Sequence, residues 1–195
     1  MKSDGRAELV LVRHGETAWS ISGQHTGLTD IPLTDAGREQ ARSLAARLSE
    51  RPYARVLTSP LGRAVETCRL AGFGDRAETR DELLEWDYGD YEGRTTPDVR
   101  TERPDWLLWR DGCPNGEGPA DVGARVDRLI AELREGEGDA VLFAHGHVLR
   151  VLAARWIELG PEVGGRLTLS PAAVSILGWD RERAAIRVWN EVSQA

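Results

Sequence analysis

Glu8-Leu-Val-Leu-Val-Arg-His-Gly15 is the stretch that decides the fold class. In Glu8–Val12 every residue after Glu8 is apolar, two of them β-branched, with no alternation. A strand of that kind needs cover on both faces, which is the situation of a parallel strand buried in an α/β layered sheet. The run stops at Arg13-His14-Gly15, so a guanidinium and an imidazole stand at its carboxyl end. Ligands of open α/β sheets gather beyond the carboxyl ends of the strands.

Reading outward, the same logic recurs. Thr34 or Asp35 caps a helix reaching about Leu48, with Ala41, Leu44, Ala45 and Leu48 on one face. Arg55–Thr58 reads as a second strand. Ser59 caps the next helix, opened by Pro60 at its first position and running to about Leu70. Glu78–Leu84 is expected to be extended, Trp86–Gly93 to be a loop, and Asp98–Arg110 to be helical but irregular at Pro104. Cys113–Gly118 is a Pro/Gly loop. Pro119 opens a helix whose Val122, Val126, Leu129, Ile130 and Leu133 share a face. Asp139–Ala144 is a strand that ends at His145-Gly146-His147, and Val148–Leu159 returns as a helix. Ala173–Trp179 and Ala185–Val192 are closing strands joined by a charged turn at Asp180–Arg183. Strand and helix alternate throughout, so the expected architecture is a three-layer α/β/α fold with a mostly parallel central sheet, in a single domain spanning residues 1–195.

Composition narrows the function classes. The chain has 195 residues and a net charge of −7, with no Lys/Arg run of the kind that grips nucleic acid. Its apolar stretches, such as Val141–Ala144 and Val174–Leu177, are too short to span a bilayer. Met1–Ala7 is polar and lacks the apolar core of a secretion signal. The two cysteines, Cys68 and Cys113, form no disulfide framework. The expectation is a cytoplasmic protein with neither nucleic acid nor membrane as partner. A homo-oligomer is left open.

Three polar groups fall at strand ends: Arg13-His14-Gly15, Ser59–Arg63 and His145-Gly146-His147. Arginine offers a planar fork that matches phosphate oxygens. A histidine beside fixed positive charge resists protonation and is available as a neutral nucleophile. The alternative for His14 is a strand-end histidine satisfied by a backbone carbonyl, and for Arg63 a solvated helix arginine. Gly15 would let the backbone approach a ligand. A helix starting at Ser59 would point its amino terminus at an anion, with Arg63 one turn in. A second histidine, His145, can stabilise phosphoryl oxygens in flight. All four histidines (His14, His25, His145, His147) lie in turn segments, which raises a metal reading. Zinc is disfavoured because neither HxxxH nor a cysteine pair accompanies them, and because Arg13 repels a cation. No metal and no cofactor are expected. Five acids cluster between Glu82 and Glu92. One carboxyl is needed to protonate an alkoxide leaving group, and the residues alone leave its identity open. The chain has seven tryptophans beside two phenylalanines. Trp19 and Trp106 are expected in the core, with Trp86 and Trp109 walling a substrate mouth.

Leu11-Val-Arg-His-Gly-Glu-Thr-Ala-Trp19, Ser59-Pro-Leu-Gly-Arg63-Ala, Glu85 with Tyr88-Gly89 and Glu92-Gly93, and Phe143-Ala-His145-Gly-His, in that order, resemble the histidine phosphatase (phosphoglycerate mutase-like) superfamily. The likeness runs from about Val10 to Arg150. Gly23-Gln-His-Thr-Gly-Leu-Thr-Asp30 and the Glu85–Gly93 segment are most similar to its acid phosphatase and sedoheptulose-1,7-bisphosphatase-like branch. The resemblance implies a phosphoglycerate mutase-like fold in which His14 becomes phosphorylated. It implies a phosphate pocket of Arg13, Arg63 and His145, with Glu85 as proton donor and then as base for water. It further implies that Ser20, Gln24, Thr26, Gly27 and Gly146 join Arg13, Arg63, Glu85 and His145 in binding substrate. Ser20 stands where many members carry Asn. Asn115-Gly116-Glu117-Gly118 replaces their Gly-Gly-Glu-Ser.

The expected activity is metal-independent hydrolysis of a small phosphate ester, such as a sugar phosphate, through a phosphohistidine. The alternatives are a cofactor-dependent phosphoglycerate mutase, a protein phosphohistidine phosphatase, or a phosphate-binding module without catalysis. A mutase needs extra cations for a carboxylate and a second phosphate. The residues between Glu85 and His145 include Arg94, Arg100, Arg103 and Arg110, but no lysine and no adjacent arginine pair. The physiological substrate is not legible.

Overall fold

The structure is a computed structural model that describes residues 6–192. Residues 1–5 of the amino-terminal segment read above lie outside them. In chain order the elements are β1 (Leu9–Arg13), α1 (Ala18–Ser22), α2 (Asp35–Leu48), β2 (Arg55–Thr58), α3 (Gly62–Leu70), β3 (Ala77–Thr79), α4 (Thr96–Glu102), α5 (Leu108–Asp111), α6 (Pro119–Glu135), β4 (Ala140–Ala144), α7 (Gly146–Trp156), β5 (Val174–Asp180) and β6 (Arg183–Glu191). Six strands form one sheet in the order β3-β2-β4-β1-β5-β6. The β3, β2, β4 and β1 strands pair in parallel, and β5 runs against both of its neighbours.

The unbroken apolar run of β1 is explained by the two cores. Leu9 and Leu11 face one cluster with Val126, Leu129 and Leu152 of α6 and α7. Val10 and Val12 face the other, with Leu44, Leu48 and Cys68 of α2 and α3. Each fully buried Leu or Val contributes about 1.5–3 kcal/mol, so polar alternation on this strand would forfeit one layer. The expected three-layer arrangement is therefore present. β1 pairs in register with β4, Arg13 opposite Ala144, which sets His14 and His145 side by side just past the sheet.

Several boundaries depart from the sequence reading. The helix expected at Ser59-Pro60 begins at Gly62. Its amino-terminal N–H at Gly62 donates to Asp30 Oδ2 at 3.0 Å. Ser59 Oγ instead meets His145 Nε2 at 2.7 Å. The segment expected to be extended to Leu84 leaves the sheet after Thr79 and becomes a 3-10 turn over Asp81–Leu83. The irregular helix resolves into α4 and α5, with Pro104 between them, because the residue before a proline avoids helical geometry. α1 was not anticipated. It is a single turn held by a capping box in which Thr17 Oγ1 accepts from Ser20 N and Ser20 Oγ accepts from Thr17 N. α7 starts at Gly146, two residues before the expected Val148, and ends at Trp156. No helix among the described residues is long and apolar enough to cross a membrane.

Candidate active site

Beyond the carboxyl ends of β1 and β4 lies a cavity of about 260 Å³. Of the residues expected to be catalytic or substrate-binding, Arg13, His14, Ser20, Gln24, Thr26, Glu85 and Gly146 line it. Gly27, Arg63 and His145 do not line it; Arg63 joins His145 and the Gly27 carbonyl by hydrogen bonds, and the His145 ring stands 5.2 Å from that of His14. Thr17, Trp19, His25, Tyr88, Thr96, His147, Arg150 and Leu169 also line it, and none of these had been assigned to the site. Thr17, Trp19, His25, Tyr88 and His147 belong to the motifs that carry the family resemblance, whereas Thr96, Arg150 and Leu169 lie outside them, with no local signal that they converge.

His14 is buried and its Nδ1 lies 2.7 Å from the carbonyl of Gly15. A carbonyl only accepts, so Nδ1 carries the proton and the neutral ring keeps its lone pair on Nε2. Burial pushes the His14 pKa well below its ordinary value, and the Arg13 and Arg63 charges push it further. The result is a neutral imidazole of fixed tautomer beside two guanidinium groups.

Arg63 is buried and donates from Nε to His145 Nδ1 at 3.1 Å. Its terminal nitrogens donate to the carbonyls of Thr29, Thr26 and Gly27. Because Nδ1 of His145 accepts, the proton of that ring sits on Nε2 and is donated to Ser59 Oγ. The two histidine rings are 5.2 Å apart. Burial, then Arg63, His14 and Arg13, hold the His145 pKa well below the usual range.

Arg13 donates from one terminal nitrogen to the Leu169 carbonyl. Its Nε is buried with no protein partner among the described residues. Such a donor costs about 1–3 kcal/mol unless something accepts from it. The guanidinium packs on Gly146, where a Cβ would lie 3.4 Å from it.

Glu85 reaches across to the amino terminus of α7. Its Oε1 accepts from Trp86 N at 2.9 Å and Val148 N at 2.8 Å, and its Oε2 from His147 N at 2.9 Å. His145, the residue before the helix, makes no side-chain cap of its own, so Glu85 satisfies helix donors that would otherwise be orphaned. A carboxylate has about four lone-pair sites. Oε1 is filled by two donors, which leaves Oε2 as the oxygen with room for a proton.

Other expectations change here. Gly15 serves the packing of α2 rather than a ligand: a Cβ on Gly15 would stand 2.3 Å from the Gly37 carbonyl oxygen. Ser20 Oγ gives its proton to the Thr17 carbonyl at 2.9 Å, so the α1 cap engages the hydroxyl. The tryptophans exchange places: Trp86 is fully buried, while Trp19 lines the cavity. Trp109 packs on His147, ring centroids 5.3 Å apart, and the Arg150 guanidinium lies over the Trp109 ring, 4.6 Å from its centroid. Trp106 is buried, as expected. Tyr88 has its pKa raised well above the ordinary value by burial, with Glu85 adding to the shift, and its hydroxyl is hydrogen-bonded with His147 Nδ1 at 2.6 Å. No group of three or more His, Cys, Asp or Glu is arranged to hold a metal among the described residues.

All four histidines have lowered pKa values, that of His25 to about 4 through burial. The unfolded chain takes up protons on these residues below about pH 6.5 while the folded chain does not, so stability rises with pH across that window. Melting temperature should therefore fall steadily from pH 6.5 toward pH 4, with proton uptake on unfolding already measurable near pH 5.5, above the range where carboxylates titrate. Calorimetry in buffers of different ionisation enthalpy measures that uptake, and none at pH 5.5 would contradict the neutral histidines.

The sequence profile of the histidine phosphatase superfamily (branch 1) matches residues 9–192. An acid phosphatase of Mycobacterium tuberculosis is 43% identical over 176 residues, covering 88% of this chain and 86% of that protein. The sedoheptulose 1,7-bisphosphatase of Saccharomyces cerevisiae is 40% identical over 184 residues, covering 77% and 68%. A solved structure of an open reading frame product from Mycobacterium tuberculosis superposes with a TM-score of 0.89 at 39% identity, covering 95% of this chain and 98% of that one.

Proposed function

The chain belongs to the histidine phosphatase superfamily and is a phosphatase, and from that premise we propose that it hydrolyses a small phosphorylated metabolite of the sugar phosphate class through a phosphohistidine on His14. The observation that carries this reading is that one cavity is lined both by Arg13, whose buried Nε has no partner among the described residues, and by His14, a neutral imidazole whose Nδ1 is fixed on the Gly15 carbonyl. In the first step His14 Nε2 forms a bond to phosphorus as the ester P–O bond breaks, and Glu85 Oε2 gives its proton to the departing alkoxide. In the second, Glu85 takes a proton from water, the water oxygen attacks phosphorus, and the N–P bond breaks to release phosphate. Arg13 and the buried Arg63 balance the charge on the phosphoryl oxygens.

A hydrolase also fits the mouth of the cavity. Arg94 is engaged with Glu102, Arg100 with the Trp106 carbonyl, Arg103 with the Tyr91 hydroxyl and Arg110 with Asp111. None of the four lines the cavity, where Arg150 is the one further cation beside Arg13 among the described lining residues, fewer than a mutase needs for a carboxylate and a second phosphate. We read residues 1–195 as a single domain working in the cytoplasm, a setting in which the buried free thiols Cys68 and Cys113 persist. The deciding experiment measures phosphate release across sugar phosphates, bisphosphates, glycerate phosphates and an aryl phosphate. A parallel arm follows 3-phosphoglycerate with 2,3-bisphosphoglycerate and measures 2-phosphoglycerate. Phosphate release should dominate, and isomerisation outpacing it by a large factor would replace the hydrolase reading with a mutase.

A further inference from the structure

Glu85 sits on an irregular segment, and something must hold that segment still. Arg125, on α6, spends all five of its N–H donors there. Nε donates to Glu117 Oε1 at 2.8 Å. One terminal nitrogen donates to the carbonyls of Glu82 and Leu84, at 2.8 and 2.7 Å. The other donates to the carbonyl of Glu85 at 3.1 Å and to Glu117 Oε2 at 3.0 Å. Glu117 then fastens the far side of the acid. Its Oε2 accepts from Asp87 N at 2.9 Å, its backbone N–H donates to the Asp87 carbonyl, and its carbonyl accepts the Trp86 indole N–H at 2.8 Å. The backbone is thus gripped immediately before, at and after Glu85 by one Arg–Glu pair. That pair does not line the catalytic cavity.

We propose that Arg125, acting with Glu117, is a positioning residue for the leaving-group acid: it sets where the Glu85 carboxyl stands relative to His14 and so governs protonation of the leaving group rather than transfer of the phosphoryl group. The proposal rests on the assignment of Glu85 as the acid. The planar guanidinium is what the task requires. A lysine presents its donors from one point and cannot span three carbonyls and a carboxylate together. A shift of about 1 Å in a catalytic group can cost about 10²-fold in rate, whereas a phosphoryl transfer that needs no proton from Glu85 is indifferent to that shift.

The test compares Arg125→Met, Arg125→Lys and Glu117→Gln with Glu85→Gln on a hexose phosphate and on nitrophenyl phosphate. Arg155→Met serves as a control, because Arg155 pairs with Asp127 between α7 and α6 and touches nothing in the acid segment. Arg125→Met should lower kcat on the hexose phosphate by about 10–10²-fold with KM little changed, and leave nitrophenyl phosphate turnover near normal. Arg155→Met should show no such selectivity. Added to Glu85→Gln, the Arg125 substitution should cost nothing further on the hexose phosphate, since two residues acting through one step are not additive. If Arg125→Met does not fold, Arg125→Lys carries the comparison, because it keeps the charge and the stem. Equal losses on both substrates, or full additivity with Glu85→Gln, would overturn the proposal. If Glu85→Gln itself is unselective, the acid assignment falls and the proposal with it. A selective Glu85→Gln beside an unselective Arg125 variant rejects the Arg125 role alone.

Discussion

His14→Ala should abolish turnover, by about 10⁴-fold or more, on alkyl and aryl phosphates alike. Of the neighbouring groups, Arg13 and Arg63 are cations, both ring nitrogens of His145 are engaged, by Arg63 and by Ser59, and His147 Nδ1 is engaged by Tyr88. The companion measurement quenches the wild-type enzyme during turnover without acid, which would hydrolyse a phosphoramidate, and locates the phosphoryl group by mass analysis. It should lie on His14. The aryl substrate matters because it removes the need for a general acid, so a loss that persists there belongs to the nucleophile. A phosphoryl group on another residue, or near-normal turnover by a folded His14→Ala protein, would end the assignment.

Glu85→Gln should cost about 10²–10⁴-fold on a sugar phosphate and much less on an aryl phosphate. A poor alkoxide leaving group needs a proton as the P–O bond breaks, and nitrophenolate hardly does. The substitution is not innocent structurally. A glutamine has one acceptor oxygen where the carboxylate has two, so its amide N–H₂ would face a backbone N–H at the start of α7. The melting temperature should therefore fall as well, and the aryl arm separates that cost from the loss of the proton. Equal losses on both substrates would make Glu85 a helix cap only, with Glu82 and Asp87 the next carboxyls to test.

The layered fold and the strand ends that carry the site were legible in the sequence, because the forces that specify them are local and periodic. Leu9–Val12 and Ala140–Ala144 are apolar at successive residues, and only a strand covered on both faces hides every one of them. Val122, Val126, Leu129, Ile130 and Leu133 repeat at helical spacing, and all are buried on α6. Arg13, His14, His145 and Gly146 follow the strands directly, so placing the strands placed them. What tertiary structure decided has no such period. Asp30, rather than Ser59, caps α3, because the Gly23–Asp30 loop folds over that helix end and leaves Ser59 to His145. Trp86 is buried and Trp19 lines the cavity because Trp86 finds its indole acceptor on Glu117, a residue distant in sequence. Of the five clustered carboxyls, Glu85 is the one that lines the cavity with His14, held by backbone donors on α7 and by Arg125 on α6, none of them near Glu85 in the chain. A side chain's periodic burial is written in its neighbours. The partner of a loop hydrogen bond is chosen by whichever distant donor the finished fold brings within about 3 Å.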